Sequence, residues 1–301
     1  MALNNPAFNN PAFQDPRAVS TYPGGPQAAG LGRQGQFSTA QAAATDVAAN
    51  AQLEGMYAAP SAGAIETDRM TVEDTIAKTV ALFAVLVAFS AIGWVWTYGG
   101  LTFTGTVTSM PMIIGGLVGF VLAMVNIFKK KVSVPLVFAY AAAQGIFVGG
   151  ISAFFEVSWP GIVVQATLAT LVVVGVTLAL FASGKIRASK RATKIFLIAM
   201  VGYLVFSLIN VFMMIFGATD SAFGLSSGVE IFGIPLGLLM GPLVIIMGAY
   251  SLVLDFDLIQ RGVRNGAPRQ LAWNAAFGIM VTVIWLYVEI LRIIAIARGS
   301  N

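Results

Sequence analysis

Leu271-Ala-Trp-Asn-Ala-Ala-Phe-Gly-Ile-Met-Val-Thr-Val-Ile-Trp-Leu-Tyr-Val-Glu-Ile-Leu-Arg292 is an apolar run that continues to Ala297. It exceeds the roughly 20 residues a helix needs to cross a hydrocarbon core of about 30 Å. Within it, Asn274, Gly278, Thr282, Trp285, Glu289 and Arg292 recur at spacings of 4, 4, 3, 4 and 3. That period places them on one face of a helix. A lipid-facing helix does not carry an amide, an acid and a base in one stripe, so this helix is expected to be surrounded by others or to line a cavity.

Six further apolar runs precede it, at about 75–98, 109–128, 132–155, 162–183, 193–217 and 232–259. Lipid offers no partner to an open peptide group, so all seven are expected to be helices. The first opens with Thr71, Glu73 and Asp74, which suit a helix N-terminus. Trp159-Pro160-Gly161 marks a turn between the third and fourth. The sixth contains Pro235 and Pro242, each a potential kink. The fold class is therefore an all-α membrane protein of seven transmembrane helices over residues 68–301.

Composition agrees. Of 301 residues, 57% are hydrophobic and 10% charged, against about 25% charged in a soluble domain. There is no Cys and no His, which excludes disulfides, thiolate nucleophiles, zinc–thiolate sites, imidazole bases and His-ligated metals. No phosphate-binding glycine loop occurs. Residues 1–67 differ in kind. They are rich in Ala, Gly, Pro and Asn, repeat Asn-Asn-Pro-Ala-Phe at 4–8 and 9–13, and lack apolar periodicity. They read as a disordered cytoplasmic tail, and not as a signal peptide.

The charges set the orientation. Lys129, Lys130 and Lys131 follow the second run. Lys185, Arg187, Lys190, Arg191 and Lys194 follow the fourth, and Arg261, Arg264 and Arg269 follow the sixth. The alternate loops hold no Lys or Arg, only Glu156, Asp220 and Glu230. The positive-inside rule then puts the N-terminus in the cytoplasm and the C-terminus outside. The net charge of +4 is thus topogenic, with the lipid bilayer as partner and no nucleic acid implied.

Ionisable groups within spans are functional candidates, because they are costly there. Lys78 is expected to pair with Asp74 one turn earlier and to snorkel. Gly237, Gly241, Gly248 and Asp255 share a small-residue face, so Asp255 is expected inside the bundle. Asp257 points elsewhere and is expected to make a surface pair with Arg261. Glu289 has Arg292 three residues on, and Asn210 and Gln144 are possible tying groups.

Asp-Phe-Asp-Leu-Ile at 255–259, Leu286-Tyr-Val-Glu-Ile-Leu-Arg292, Met70-Thr-Val-Glu-Asp-Thr75 and the Gln144–Gly149 run resemble the bacterial branch of the Bax inhibitor-1 family over about residues 70–297. The resemblance implies six helices around a central seventh and, in some members, a pH-sensitive calcium leak. There an Asp late in the sixth helix pairs with an Asp in the seventh. Asp255 matches the first. Aligned through Arg292, the position of the second is occupied by Thr282, and the nearest carboxylate is Glu289, two turns on. Counted along straight helices, Asp255 and Glu289 are offset by roughly 15 Å, too far for a direct pair.

The resemblance also implies a multi-pass protein of the cell membrane, the bacterial inner membrane. Calcium prefers oxygen ligands, and carboxyl groups withdrawn from water hold their protons more tightly. Asp255 is therefore a candidate proton-sensitive gate with calcium as the permeant ion, and Thr282, Asn274, Glu289 and Asp257 are accompanying ion-path candidates. No cofactor is implied. The alternative is a non-transporting modulator of membrane proteostasis or stress response that binds a membrane protein partner through the tail. Enzymatic acid–base chemistry is disfavoured, since Asp255 and Asp257 diverge on the helix.

Overall fold

The computed structural model describes residues 68–299, apart from 102–104, 130, 219–220 and 222. The tail, Lys130 and Asp220 lie outside the described residues. Among the described residues seven helices are long and apolar enough to cross a membrane: α1 (Val72–Thr97), α2 (Met110–Phe128), α3 (Val134–Ser158), α4 (Ile162–Ala182), α5 (Lys190–Ile215), α6 (Leu236–Arg264) and α7 (Leu271–Gly299). Between α5 and α6 stand one helical turn, Leu225–Gly228, and an antiparallel hairpin of β1 (Glu230–Ile231) and β2 (Ile234–Pro235).

That hairpin corrects the sixth run, expected to begin at 232. Phe232 and Gly233 both take positive φ, 56° and 76°, the conformation of a two-residue hairpin turn. The helix starts only after Pro235, and it continues past 259 to Arg264. Pro242 lies inside α6, as membrane helices tolerate where neighbours cover the freed backbone.

Helix ends follow local chemistry. The Thr71 hydroxyl accepts from the Asp74 amide at 3.1 Å and caps α1. Gly161 supplies the left-handed turn into α4 at φ 82°. Glu156 reaches across that turn, accepting from the Gly161 and Val163 amides at 2.6 and 3.1 Å.

Contacts define two ends of the bundle. At the first, the Met70 amide donates to the Ala267 carbonyl at 2.7 Å. Lys78 Nζ stands 2.5 Å from Asp74 and 3.0 Å from the Arg269 carbonyl, and Arg269 Nη2 lies 2.9 Å from Asp74. The expected Lys78–Asp74 pair is thus also a tie from α1 to the α6–α7 connection. Arg187 and Gln260 meet at this same end. At the opposite end Arg298, in the last turn of α7, donates to the Pro160 carbonyl at 2.9 Å.

Small residues bring helices together. A Cβ on Gly145 would stand 2.5 Å from the Leu86 carbonyl oxygen of α1, and one on Gly150 would stand 2.6 Å from the Met112 amide of α2. Gly149 abuts the Ser90 carbonyl in the same way. Without a Cβ the backbones approach closely, and dispersion replaces the hydrophobic drive that lipid does not provide. In its most apolar stretch α7 is 50% buried, against 17% for α1, α2 and α5. Ala272, Ala275, Ala276, Met280, Leu286 and Leu291 of α7 are fully buried. α5 keeps only Thr193, Phe196, Tyr203 and Asn210 inside.

Candidate functional site

The α6–α7 contact carries the site. Along α6, Gly237, Gly241 and Gly248 lie against Ile296, Ile293 and Leu286 of α7. Seven residues after Gly248, on the same face, comes Asp255. The close approach set by the glycines lets two short side chains meet. Thr282 Oγ1 of α7 donates to Asp255 Oδ2 at 2.8 Å. Asp255 is 0% exposed and Thr282 5%. Ser251, one turn before Asp255, places its hydroxyl 3.5 Å from that of Thr282, a weak contact.

Thr282 thus occupies the position where the resemblance implies a second Asp, and it makes the contact that Asp would make. A carboxylate and two hydroxyls fall short of the roughly six to eight oxygens that hold a resident calcium ion. Among the described residues no three Asp or Glu side chains gather into a metal-holding group.

Glu289 belongs to a second centre. Tyr203 of α5 donates its hydroxyl to Glu289 Oε1 at 2.7 Å, and Arg292 Nη2 donates to the Tyr203 oxygen at 2.6 Å. Arg292 Nη2 also lies 2.7 Å from Glu289 Oε2, an ion pair in which Oε2 has close charge without a hydrogen bond. The expected Glu289–Arg292 pair is present and Tyr203 is its unexpected third member. A tyrosine within an apolar run reads as ordinary packing, and only the acid and base of α7 hinted that a polar partner was required. Thr282 and Glu289 are seven residues apart, about 10 Å of helix, so Glu289 and Asp255 sit in separate networks.

Asp257 is held by Arg261 through Nε at 2.9 Å and through Nη2. The pair was expected at the surface. Asp257 is instead buried, at 9% exposure, because the end of α6 packs inside the bundle while the longer arginine reaches outward. Asn274 is half-buried and takes no part in either network. Asn210 ties the α5–α6 connection, donating to the Phe223 carbonyl at 3.2 Å and accepting from the Leu225 amide at 2.7 Å. Gln144 has a buried Oε1 with no hydrogen-bond partner among the described residues, and Gly119 makes room for its amide.

The chain matches the family model described as Bax inhibitor 1 like over residues 5–299. The match begins within the tail, which the motif resemblance had left outside. No curated protein and no solved structure matches the chain. Seven apolar spans and a family match over nearly the whole length make this a multi-pass membrane protein that belongs to the Bax inhibitor-1 family.

Proposed function

We propose that the protein is a cation leak, with calcium as the permeant ion, and that Asp255 with Thr282 is its proton-sensitive gate. The observation that carries this reading is a fully buried carboxylate meeting a hydroxyl at the contact between α6 and the most buried helix, α7. An ionised Asp255 is the group in that contact that attracts a cation, and the two hydroxyls supply neutral oxygens beside it. Protonation removes the attraction and leaves a hydrogen-bonded plug. Because Thr282 carries one transferable donor and accepts as well, the contact is satisfied in both states of Asp255. Opening therefore follows hydration of the ionised acid, without like-charge repulsion.

In this reading the other six helices pack round α7, and the basic end of the bundle faces the cytoplasm by the positive-inside rule. The C-terminus is outside and the membrane is the bacterial inner membrane. The same asymmetry assigns the tail to the cytoplasm, where the second reading, a non-transporting partner of another membrane protein, would use it.

The test is calcium entry into proteoliposomes holding the full chain, followed across near-neutral pH beside Asp255→Asn. The leak reading expects a pH-dependent flux whose pH dependence flattens in the variant. A flux identical in both proteins at every pH would remove Asp255 from the gate. Flux no higher than in empty liposomes would remove the leak and leave the interaction reading, for which tail deletion is the next experiment.

A further inference from the structure

Two cavities open on the flank of the bundle between α1 and α4, of about 500 and 440 Å³. They share Phe83, Thr170, Leu171 and Val283, so they form one continuous groove with α7 in its floor. On the α1 wall it extends from Val72 to Trp94, about 33 Å of helix, which is the thickness of a hydrocarbon core. The larger cavity takes the stretch from Val72 to Phe83, about 16 Å, or one leaflet. Both volumes fall in the range of ligand pockets.

The leaflet-deep half ends at the basic end of the bundle. Gln260 lines it and accepts from Arg187 Nη1 at 2.6 Å. Phe181 lines it too, and the Arg187 guanidinium stacks 4.7 Å from its ring centre. Arg187 is thereby fixed at the groove mouth while remaining exposed, and Lys185, two residues earlier in the chain, is exposed as well. The acids nearby do not oppose an anion there. Asp74 is paired with Lys78 and Arg269, and Asp257 with Arg261. Glu73 and Asp68 do not line the groove.

We propose that this half-groove is a binding site for an anionic phospholipid: one acyl chain lies between α1 and α4, and the headgroup phosphate rests on Arg187 and Lys185. The lining is apolar and lipid-facing, as an acyl chain requires. Arg187, anchored to Gln260 and Phe181 of the lining, stands at headgroup depth, one leaflet from the groove's midpoint. The proposal does not depend on calcium flux and would outlive its absence.

Native mass spectrometry of the delipidated full chain in detergent tests it, with dioleoyl phosphatidylglycerol and dioleoyl phosphatidylcholine at equal concentration. Phosphatidylglycerol is expected to occupy the first site in preference, by roughly fivefold for each basic residue engaged. Arg187→Gln with Lys185→Gln should abolish the preference. Arg191→Gln with Lys194→Gln removes the same charge from exposed positions off the groove, and should leave the preference intact. Thr79→Trp, which adds bulk on the α1 wall of the groove, should weaken first-site binding of both lipids. Equal loss in the two charge variants would reduce the effect to general attraction and overturn the site. First-site binding unchanged by Thr79→Trp would overturn the acyl groove.

Discussion

Thr282 Oγ1 lies 2.8 Å from Asp255 Oδ2, and this hydrogen bond joins α7 to α6 where both helices are buried. A hydroxyl here does what a second carboxyl cannot: it satisfies its partner without ever competing for the negative charge. Of the two side chains in the contact, only Asp255 changes charge with pH, because a threonine hydroxyl does not ionise at near-neutral pH.

Thr282→Asp tests that difference. Two carboxyl groups at about 3 Å cannot both ionise without strong repulsion. As pH rises and the shared proton leaves, the α6–α7 contact should part. Calcium flux in proteoliposomes should then climb more steeply with pH than in the wild type, and the two should converge at acid pH. A flatter profile in the variant would contradict the gate's location.

Thr282→Val keeps the shape and removes the donor. Leaving a buried carboxylate without that bond should cost about 1–3 kcal/mol, visible as a lowered midpoint of thermal unfolding in detergent. Ser251→Ala, which loses only a 3.5 Å contact, should cost under about 1 kcal/mol. Equal effects would mean that the hydroxyl of Thr282 contributes nothing particular.

Arg292→Met leaves Glu289 buried beside a phenol with no counter-charge. Removing one partner of a buried ion pair costs about 3–5 kcal/mol. Glu289→Leu combined with Arg292→Met should recover most of that loss, so the double variant should unfold close to wild type. Additive losses in the cycle would show that each side chain is held by something other than its partner.

Gly149→Ala places a methyl group against the Ser90 carbonyl of α1, where there is no space for it. Gly175→Ala and Gly202→Ala enter open space within α4 and α5. The first should reduce the yield of folded protein severely. The other two should be neutral or stabilising by up to about 1 kcal/mol through helix propensity. Melting curves of the three variants side by side decide it.

Much of this architecture is legible in one dimension. Apolar length gives the seven spans, since only a helix closes its own hydrogen bonds in lipid. The spacing of Gly237, Gly241 and Gly248 already turns Asp255 inward. What the spacing does not hold is how far α6 slides along α7. That offset decides whether Asp255 meets Thr282, Glu289 or neither, and it is fixed by the fit of Leu286, Ile293 and Ile296 against the glycines. Tyr203 was illegible for a different reason: its partners come from α7, and nothing near it in the chain is polar enough to announce them. The hairpin at 230–235 was hidden in an apolar run, although Gly233 and Pro235 were the signs of a turn.

The sparse seating of α5 has a bearing on how the protein is made. Its buried phenol finds Glu289 and Arg292 86 and 89 residues later in the chain. Until α7 is in place, α5 rests on α6 and on the α5–α6 connection, through Thr193 with Tyr250 and through Asn210 with Phe223 and Leu225. Its polar docking point is completed only when α7 inserts with its acid and base already side by side. A chain that lacks α7 leaves the Tyr203 hydroxyl of α5 without both its acid and its base.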